Sequence, residues 1–81
     1  MMMNYEAVVT TTDGTFRAFL VSDTQVCVTE DGIGLVDSLD LTKNDSPFYS
    51  PEQLASVLIW YVYERQRGLS IETVSLHLRD R

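Results

Sequence analysis

Residues 5–21 have the sequence YEAVVTTTDGTFRAFLV, in which apolar and polar side chains alternate on both sides of the pair Asp13-Gly14. Alternation with a period of two is typical of a half-buried β-strand, and an Asp-Gly pair between two such runs indicates a tight hairpin turn. Glycine accepts the positive φ that such a turn requires. The stretch therefore predicts strands at Tyr5–Thr11 and Thr15–Val21 joined by a hairpin.

The same signals continue beyond this hairpin. Residues 22–24 are predicted to form a turn, Gln25–Glu30 a third strand, and Asp31-Gly32 a second hairpin that leads into a strand from Ile33 to about Leu41. Residues 1–41 therefore predict an antiparallel β-meander of about four strands, with one face in the core and the other in water.

A helix with clear start signals follows this meander. The polar cluster at residues 42–49 is predicted as the one long loop. Ser50 suits the N-cap, Pro51 suits the first helical position, and Gln53 completes a capping box. We therefore predict a long helix over residues 50–67 that packs on one face of the sheet, which makes the fold class α+β.

Two structures fit residues 69–79. As a second helix, the segment has Ser70 as its N-cap, with Leu69 and Val74 packed around it. As an edge strand, it shows alternation of apolar and polar residues from Val74 onward. We favour the helix, because Leu69 and Ile71 fall out of phase with that alternation and Ser70 has natural cap chemistry.

The stretch from Gly68 to Arg79 locally resembles the turn and recognition helix of response-regulator-type helix-turn-helix domains. The matching positions are Leu69, Ser70, Thr73, Val74, His77 and Leu78. The resemblance implies an alternative function, that of a nucleic-acid-binding regulator that uses the segment 68–81.

Composition and charge restrict the class of protein. The 81 residues include 12 Asp and Glu against 6 Lys and Arg, so the formal net charge is −6, and 44% of the residues are hydrophobic. This length and composition predict a single folded domain over residues 1–81. Nucleic-acid binding draws its affinity from Lys and Arg that neutralise phosphates, so an acidic chain makes nucleic acid an unexpected partner. The charge favours a protein partner with a basic surface instead.

The sequence also bears on cellular location. Cys27 is the only cysteine, so no internal disulfide can form and a reducing compartment is expected. The first residues lack the basic region and apolar core of a signal peptide, and the longest apolar run, Val57–Tyr63, is too short to span a bilayer. We therefore expect a cytoplasmic protein without membrane insertion.

No pattern in the sequence indicates catalysis or metal binding. His77 is the only histidine, and a general base needs a nucleophile or a carboxylate brought near it. The acids of Glu30-Asp31 and of Asp37 with Asp40 do not have the spacing of a calcium loop. One cysteine and one histidine fall short of the ligand set of zinc. We predict a protein that is not an enzyme and has no catalytic, metal-binding or cofactor-binding residue.

The predicted helix carries more apolar surface than one core stripe needs. Trp60 and Tyr63 extend this surface around the helix, toward the side opposite the sheet. We favour their burial under the C-terminal segment, because a small domain needs every large side chain that it has. If they are exposed, they are predicted to contact a protein partner or a second copy of the chain, which would form a homodimer through this helix face.

A second candidate surface is acidic. It consists of Glu30, Asp31, Asp37 and Asp40. Together with the exposed helix face it predicts a small acidic non-catalytic interaction protein, a regulator, adaptor or inhibitor, that binds a basic protein partner. In size and charge the chain resembles phage- or mobile-element-encoded inhibitors that block nucleic-acid-handling machinery.

Overall fold

The computed structural model describes residues 5–22, 24–40, 51–65 and 70–79. Its elements are β1 (Tyr5–Thr11), β2 (Thr15–Ser22), β3 (Gln25–Glu30), β4 (Gly34–Asp40), α1 (Pro51–Arg65) and β5 (Ile71–Leu78). The strands form one antiparallel sheet in the order β4-β3-β2-β1-β5, and α1 packs on one face of it. The predicted α+β fold, a meander packed on a helix, is confirmed, with a fifth strand added to it.

The face of the sheet toward α1, which we call the inner face, carries the alternating apolar residues. Directly opposite residues of antiparallel strands share a face, and the pairs Val9 with Phe16 and Ala18 with Val28 show this register. The buried core residues are Ala7, Val9, Phe16, Ala18, Leu20, Val26 and Val28 of the sheet and Leu54, Ala55, Leu58, Tyr61 and Val62 of α1. Helical spacing of three and four residues places this second group on one stripe of α1.

The β1–β2 hairpin forms where it was predicted, but the reason given for it was wrong. Among the described glycines only Gly32 and Gly34 have positive φ, so Gly14 does not use that freedom. Thr11 closes this turn instead. Its N–H donates to the Gly14 carbonyl at 2.8 Å, and its Oγ1 accepts the N–H groups of Asp13 at 3.2 Å and of Gly14 at 3.1 Å. The threonine hydroxyl thus accepts hydrogen bonds from the turn amides and stabilises the turn without a glycine in the left-handed conformation.

The C-terminal segment is a strand, so the helix that we favoured there is wrong. β5 pairs antiparallel with β1, and a register shift between Thr10 and Thr11 sets Thr11 opposite Ile71 and leaves Glu72 as the extra residue. This β-bulge returns Ile71 to the inner face, where it packs against the core. The phase break that indicated a helix is therefore the signature of the bulge.

The helix begins at Pro51, as predicted, and its described part ends at Arg65. The predicted N-cap Ser50, the loop over residues 42–49 and the predicted helix end at residues 66–67 lie outside the described residues. Glu52 in the first turn and Arg65 in the last turn both complement the helix dipole. In the described part of the chain, no helix is long and apolar enough to cross a membrane.

Candidate interaction groove between β4 and α1

A groove with a volume of about 470 Å³ lies between β4 and α1. Residues 37–40 of β4 line one wall, and Ser56, Val57, Trp60 and Arg65 of α1 line the other. β4 is the strand at one edge of the sheet, with β3 as its neighbour. The groove therefore lies at this edge of the sheet, beside α1.

Trp60 is the largest apolar side chain that lines this groove. Its side chain is 50% exposed, and Tyr63, one turn further along α1, is 66% exposed. Our expectation that the C-terminal segment buries both residues is wrong, because β5 lies beside β1 in the sheet and not over the outer side of α1. Tyr63 does not line the groove, so the two aromatic residues are exposed in different surroundings.

A second β-bulge brings Asp37 to the groove. The register between β3 and β4 shifts so that Val28 faces Asp37 and Thr29 faces Leu35, which leaves Val36 as the extra residue. Asp37 then lies on the inner face near the end of α1, where its Oδ2 accepts a hydrogen bond from Nη1 of Arg65 at 2.8 Å. This ion pair connects the two walls of the groove.

The predicted acidic surface is divided by the strand register. Asp37 and Asp40 line the groove, whereas Glu30 and Asp31 lie at the other end of β4, beside its first residue. Gln25, which faces Asp40, is five residues from Glu30 along β3, a separation of roughly 17 Å, whereas Val28, which faces Asp37, is two residues from Glu30. The predicted interaction residues that the structure brings together are therefore Trp60, Asp37 and Asp40.

Asp31 belongs to an ionic cluster on the outer face, the face of the sheet away from α1. Arg17 donates from Nε and Nη2 to the two carboxylate oxygens of Asp31 at 2.8 and 3.0 Å, and from Nη1 to Glu6 at 2.6 Å. The guanidinium group of Arg79 stacks on the ring of Phe19 at 3.7 Å and lies 3.9 Å from Glu6. Asp31 is thus held by an internal partner.

The hydrogen bonds from Arg17 lower the pKa of Asp31 below its usual value. A carboxylate with a lowered pKa in the folded state stabilises the fold above its unfolded pKa, and this stabilisation is lost as the pH falls through the folded pKa. We therefore expect wild type to have a higher free energy of unfolding than Asp31→Asn at neutral pH. This difference should decrease below about pH 4, and urea unfolding at a series of pH values measures it.

A carbon NMR titration of Asp31 tests the cause. Arg17→Gln should raise the pKa of Asp31 toward its usual value. Arg79→Gln is the matched control, because it removes an arginine of the same cluster that does not contact Asp31. Equal titration curves for Asp31 in the two variants would contradict the assignment to Arg17.

His77, the only histidine, lies on the outer face, as do Ser75 and Cys27. Ser75 Oγ and His77 Nε2 are 2.9 Å apart on β5, where Ser75 is half-buried and His77 is exposed, and Cys27 is half-buried on β3. Nucleophilic catalysis also needs a cleft and donors for the oxyanion, which one Ser–His contact on the outer face of the sheet does not supply. Within the described ranges, no group of three or more His, Cys, Asp or Glu residues is placed to hold a metal ion.

The resemblance to a recognition helix is not borne out in the structure. Residues 71–78 are a strand paired with β1, so they cannot form the helix that enters a DNA groove in that family. No protein family, curated protein or solved structure matches this chain.

Of the residues that line the groove, the sequence singled out Asp37, Asp40 and Trp60 as interaction candidates. It missed Ser38, Leu39, Ser56, Val57 and Arg65. Ser56 lies one turn before Trp60 on the same side of α1, so helical spacing could have placed it beside Trp60. The pairing of Arg65 with Asp37 was not predictable from local sequence, because the two residues are 28 positions apart in the chain.

Proposed function

We propose that this protein is a small acidic non-catalytic interaction protein that binds a basic segment of a protein partner in the groove between β4 and α1. The observation that supports this most strongly is that one groove holds the half-exposed Trp60 beside Asp37 and Asp40. Tryptophan is enriched among the residues that dominate binding energy, and carboxylates at the rim select a basic partner.

The dimensions of the groove suit one or two side chains of an incoming segment. Its volume of about 470 Å³ is within the range of sites that bury a small ligand. Val57 and Leu39 add apolar surface beside the tryptophan ring. An aliphatic stem packed on this surface would place its charged end near the carboxylates, as long basic side chains commonly do.

Both the net charge of the chain and the carboxylates of the groove favour a basic partner. The chain as a whole has a formal net charge of −6, which attracts a basic protein before contact. Within the groove, a lysine or arginine can lie over the face of Trp60 as well as close to Asp37 and Asp40. The net attraction at the rim is moderated by Arg65, which is already paired with Asp37.

Such a protein acts by covering the basic surface of its partner, as a regulator, adaptor or inhibitor does. We also propose a cytoplasmic location, because Cys27 is a free cysteine. We do not propose the nucleic-acid-binding alternative, because Arg17 and Arg79 are engaged with carboxylates and an aromatic ring on the outer face. Phosphate binding would have to break those contacts.

The test is affinity capture from the native host lysate with three tagged baits: wild type, Trp60→Ala and Tyr63→Ala. We expect a protein that is retained by wild type and by Tyr63→Ala, is absent with Trp60→Ala, and is lost at high salt. The same proteins retained by all three baits would contradict the groove. Retention that nuclease treatment abolishes would favour the nucleic-acid alternative.

With the purified partner, Asp40→Lys should slow association by about tenfold at low salt and change the dissociation rate little, because carboxylates at the rim act on encounter. Asp13→Lys is the matched control: it makes the same change of charge at the β1–β2 turn, which does not line the groove. Stopped-flow mixing measures both rates. Equal slowing by the two variants would mean that only the overall charge matters.

A further inference from the structure

The two edges of the sheet are built differently. The β4 edge carries a bulge at Val36 and the charged residues Asp37 and Asp40, which are devices that keep an edge strand from pairing with another chain. The β5 edge has eight residues, Ile71–Leu78. Its bulge lies at Glu72, near the start of the strand. From residue 73 to residue 78 it contains no proline, lysine or carboxylate. Among the described strands, none pairs with the outer side of β5.

An exposed apolar row lies along this edge. Val74, Leu76 and Leu78 are 42%, 36% and 70% exposed. They are on the inner face, because they lie opposite Val9, Ala7 and Tyr5 of β1. The row therefore extends the apolar inner face to the β5 edge. At this edge, among the described strands, the outward N–H and C=O groups of the backbone have no neighbouring strand.

We propose that β5 pairs with β5 of a second copy of this chain, antiparallel, about a twofold axis at Leu76, so that the two sheets become one continuous sheet. In this register Leu76 faces Leu76 of the second copy, and Val74 faces Leu78 of the second copy. On the outer face, Ser75 faces His77 of the second copy. Every residue of the row Val74, Leu76 and Leu78 then meets another residue of that row, whereas a shift by one residue would set the apolar row against the polar row.

The charge of the segment favours a second copy over a basic partner. The whole chain is acidic, but residues 70–79 contain one acid, Glu72, and one arginine, Arg79. Two copies of this edge can therefore pair without strong electrostatic repulsion. The apolar row has no carboxylate that would attract a basic segment. The interface differs from the helix-face dimer considered from the sequence, since Trp60 and Tyr63 do not take part. It is also independent of the groove, which lies at the other edge of the sheet.

Sedimentation equilibrium over a concentration series at physiological salt tests the proposal. We expect wild type to dimerise, and Leu76→Lys and Leu76→Glu each to raise the dimer dissociation constant by about tenfold or more, because like charges then face each other at the axis. An equimolar mixture of these two variants should dimerise again, because opposite charges now meet there. Tyr63→Lys should leave the dimer intact.

Leu78→Lys separates loss of the dimer from loss of the fold. Leu78 is the most exposed residue of the row, so its replacement should disturb folding least. This variant should also weaken the dimer while its circular dichroism spectrum remains that of wild type. A wild type that stays monomeric at all concentrations overturns the proposal. So does a dimer that survives Leu78→Lys, or a mixture of folded Leu76 variants that does not re-form the dimer.

Discussion

Phe16→Ala is expected to lower the free energy of unfolding by about 3–5 kcal/mol, the usual cost of removing a fully buried phenylalanine side chain. Phe16 is 1% exposed and packs in the hydrophobic cluster that α1 forms with the inner face. Domains of this size commonly have a total stability near the lower end of about 5–15 kcal/mol. We therefore expect the variant to lose most of its stability, measured by urea unfolding at 25 °C.

Phe19→Ala is the matched control for Phe16. It removes the same side chain from the same strand, but from the outer face, where the ring is half-buried and stacks with Arg79 at 3.7 Å. Loss of that cation–π contact and of partial burial should cost about 1–2 kcal/mol. Equal destabilisation by the two variants would contradict the assignment of the core to the inner face.

Trp60→Ala is expected to weaken partner binding by about 2–4 kcal/mol, which is roughly 30-fold to several hundredfold in the dissociation constant. The indole ring is the largest apolar group that lines the groove, so its removal takes away the anchor while Asp37 and Asp40 remain. Because the ring is half-exposed, we expect a loss of stability below about 1 kcal/mol. Calorimetry with the purified partner and thermal unfolding measure the two effects.

Tyr63→Ala is the control for this prediction. Tyr63 is an aromatic residue of the same helix and is more exposed than Trp60, but it does not line the groove. Its removal should change partner affinity by less than about 1 kcal/mol. If both variants lose affinity equally, the partner binds the outer side of α1 and not the groove. If Trp60→Ala unfolds the protein, its ring has a structural role.

The order of β1 to β4 and the start of α1 were predictable from sequence, because their signals are local. Alternation such as Ala7, Val9 in β1 and Phe16, Ala18 in β2 depends on residues two apart. The start at Pro51 depends on the chemistry of the residues around it. The turn at Gly14 was placed correctly for a wrong reason, since the hydroxyl of Thr11 and not the φ of the glycine arranges it.

The candidate site was predictable only as separate residues. Trp60, Asp37 and Asp40 were singled out from the sequence, but so were Glu30, Asp31 and Tyr63, and nothing local distinguishes the two sets. The bulge at Val36 and the contact of Arg65 with Asp37 make the distinction. These depend on which strands pair and where α1 crosses the sheet, so they involve residues far apart in the chain.

By itself, the sequence determined an acidic α+β chain whose strands bury one face against a helix, because charge and apolar periodicity are properties of neighbouring residues. The tertiary structure alone decided that residues 71–78 are a strand. Pairing with β1 satisfies their backbone groups, and the bulge opposite Thr11 corrects the phase of Ile71. It also decided that Trp60 is exposed, since β5 extends the sheet and does not cover the helix.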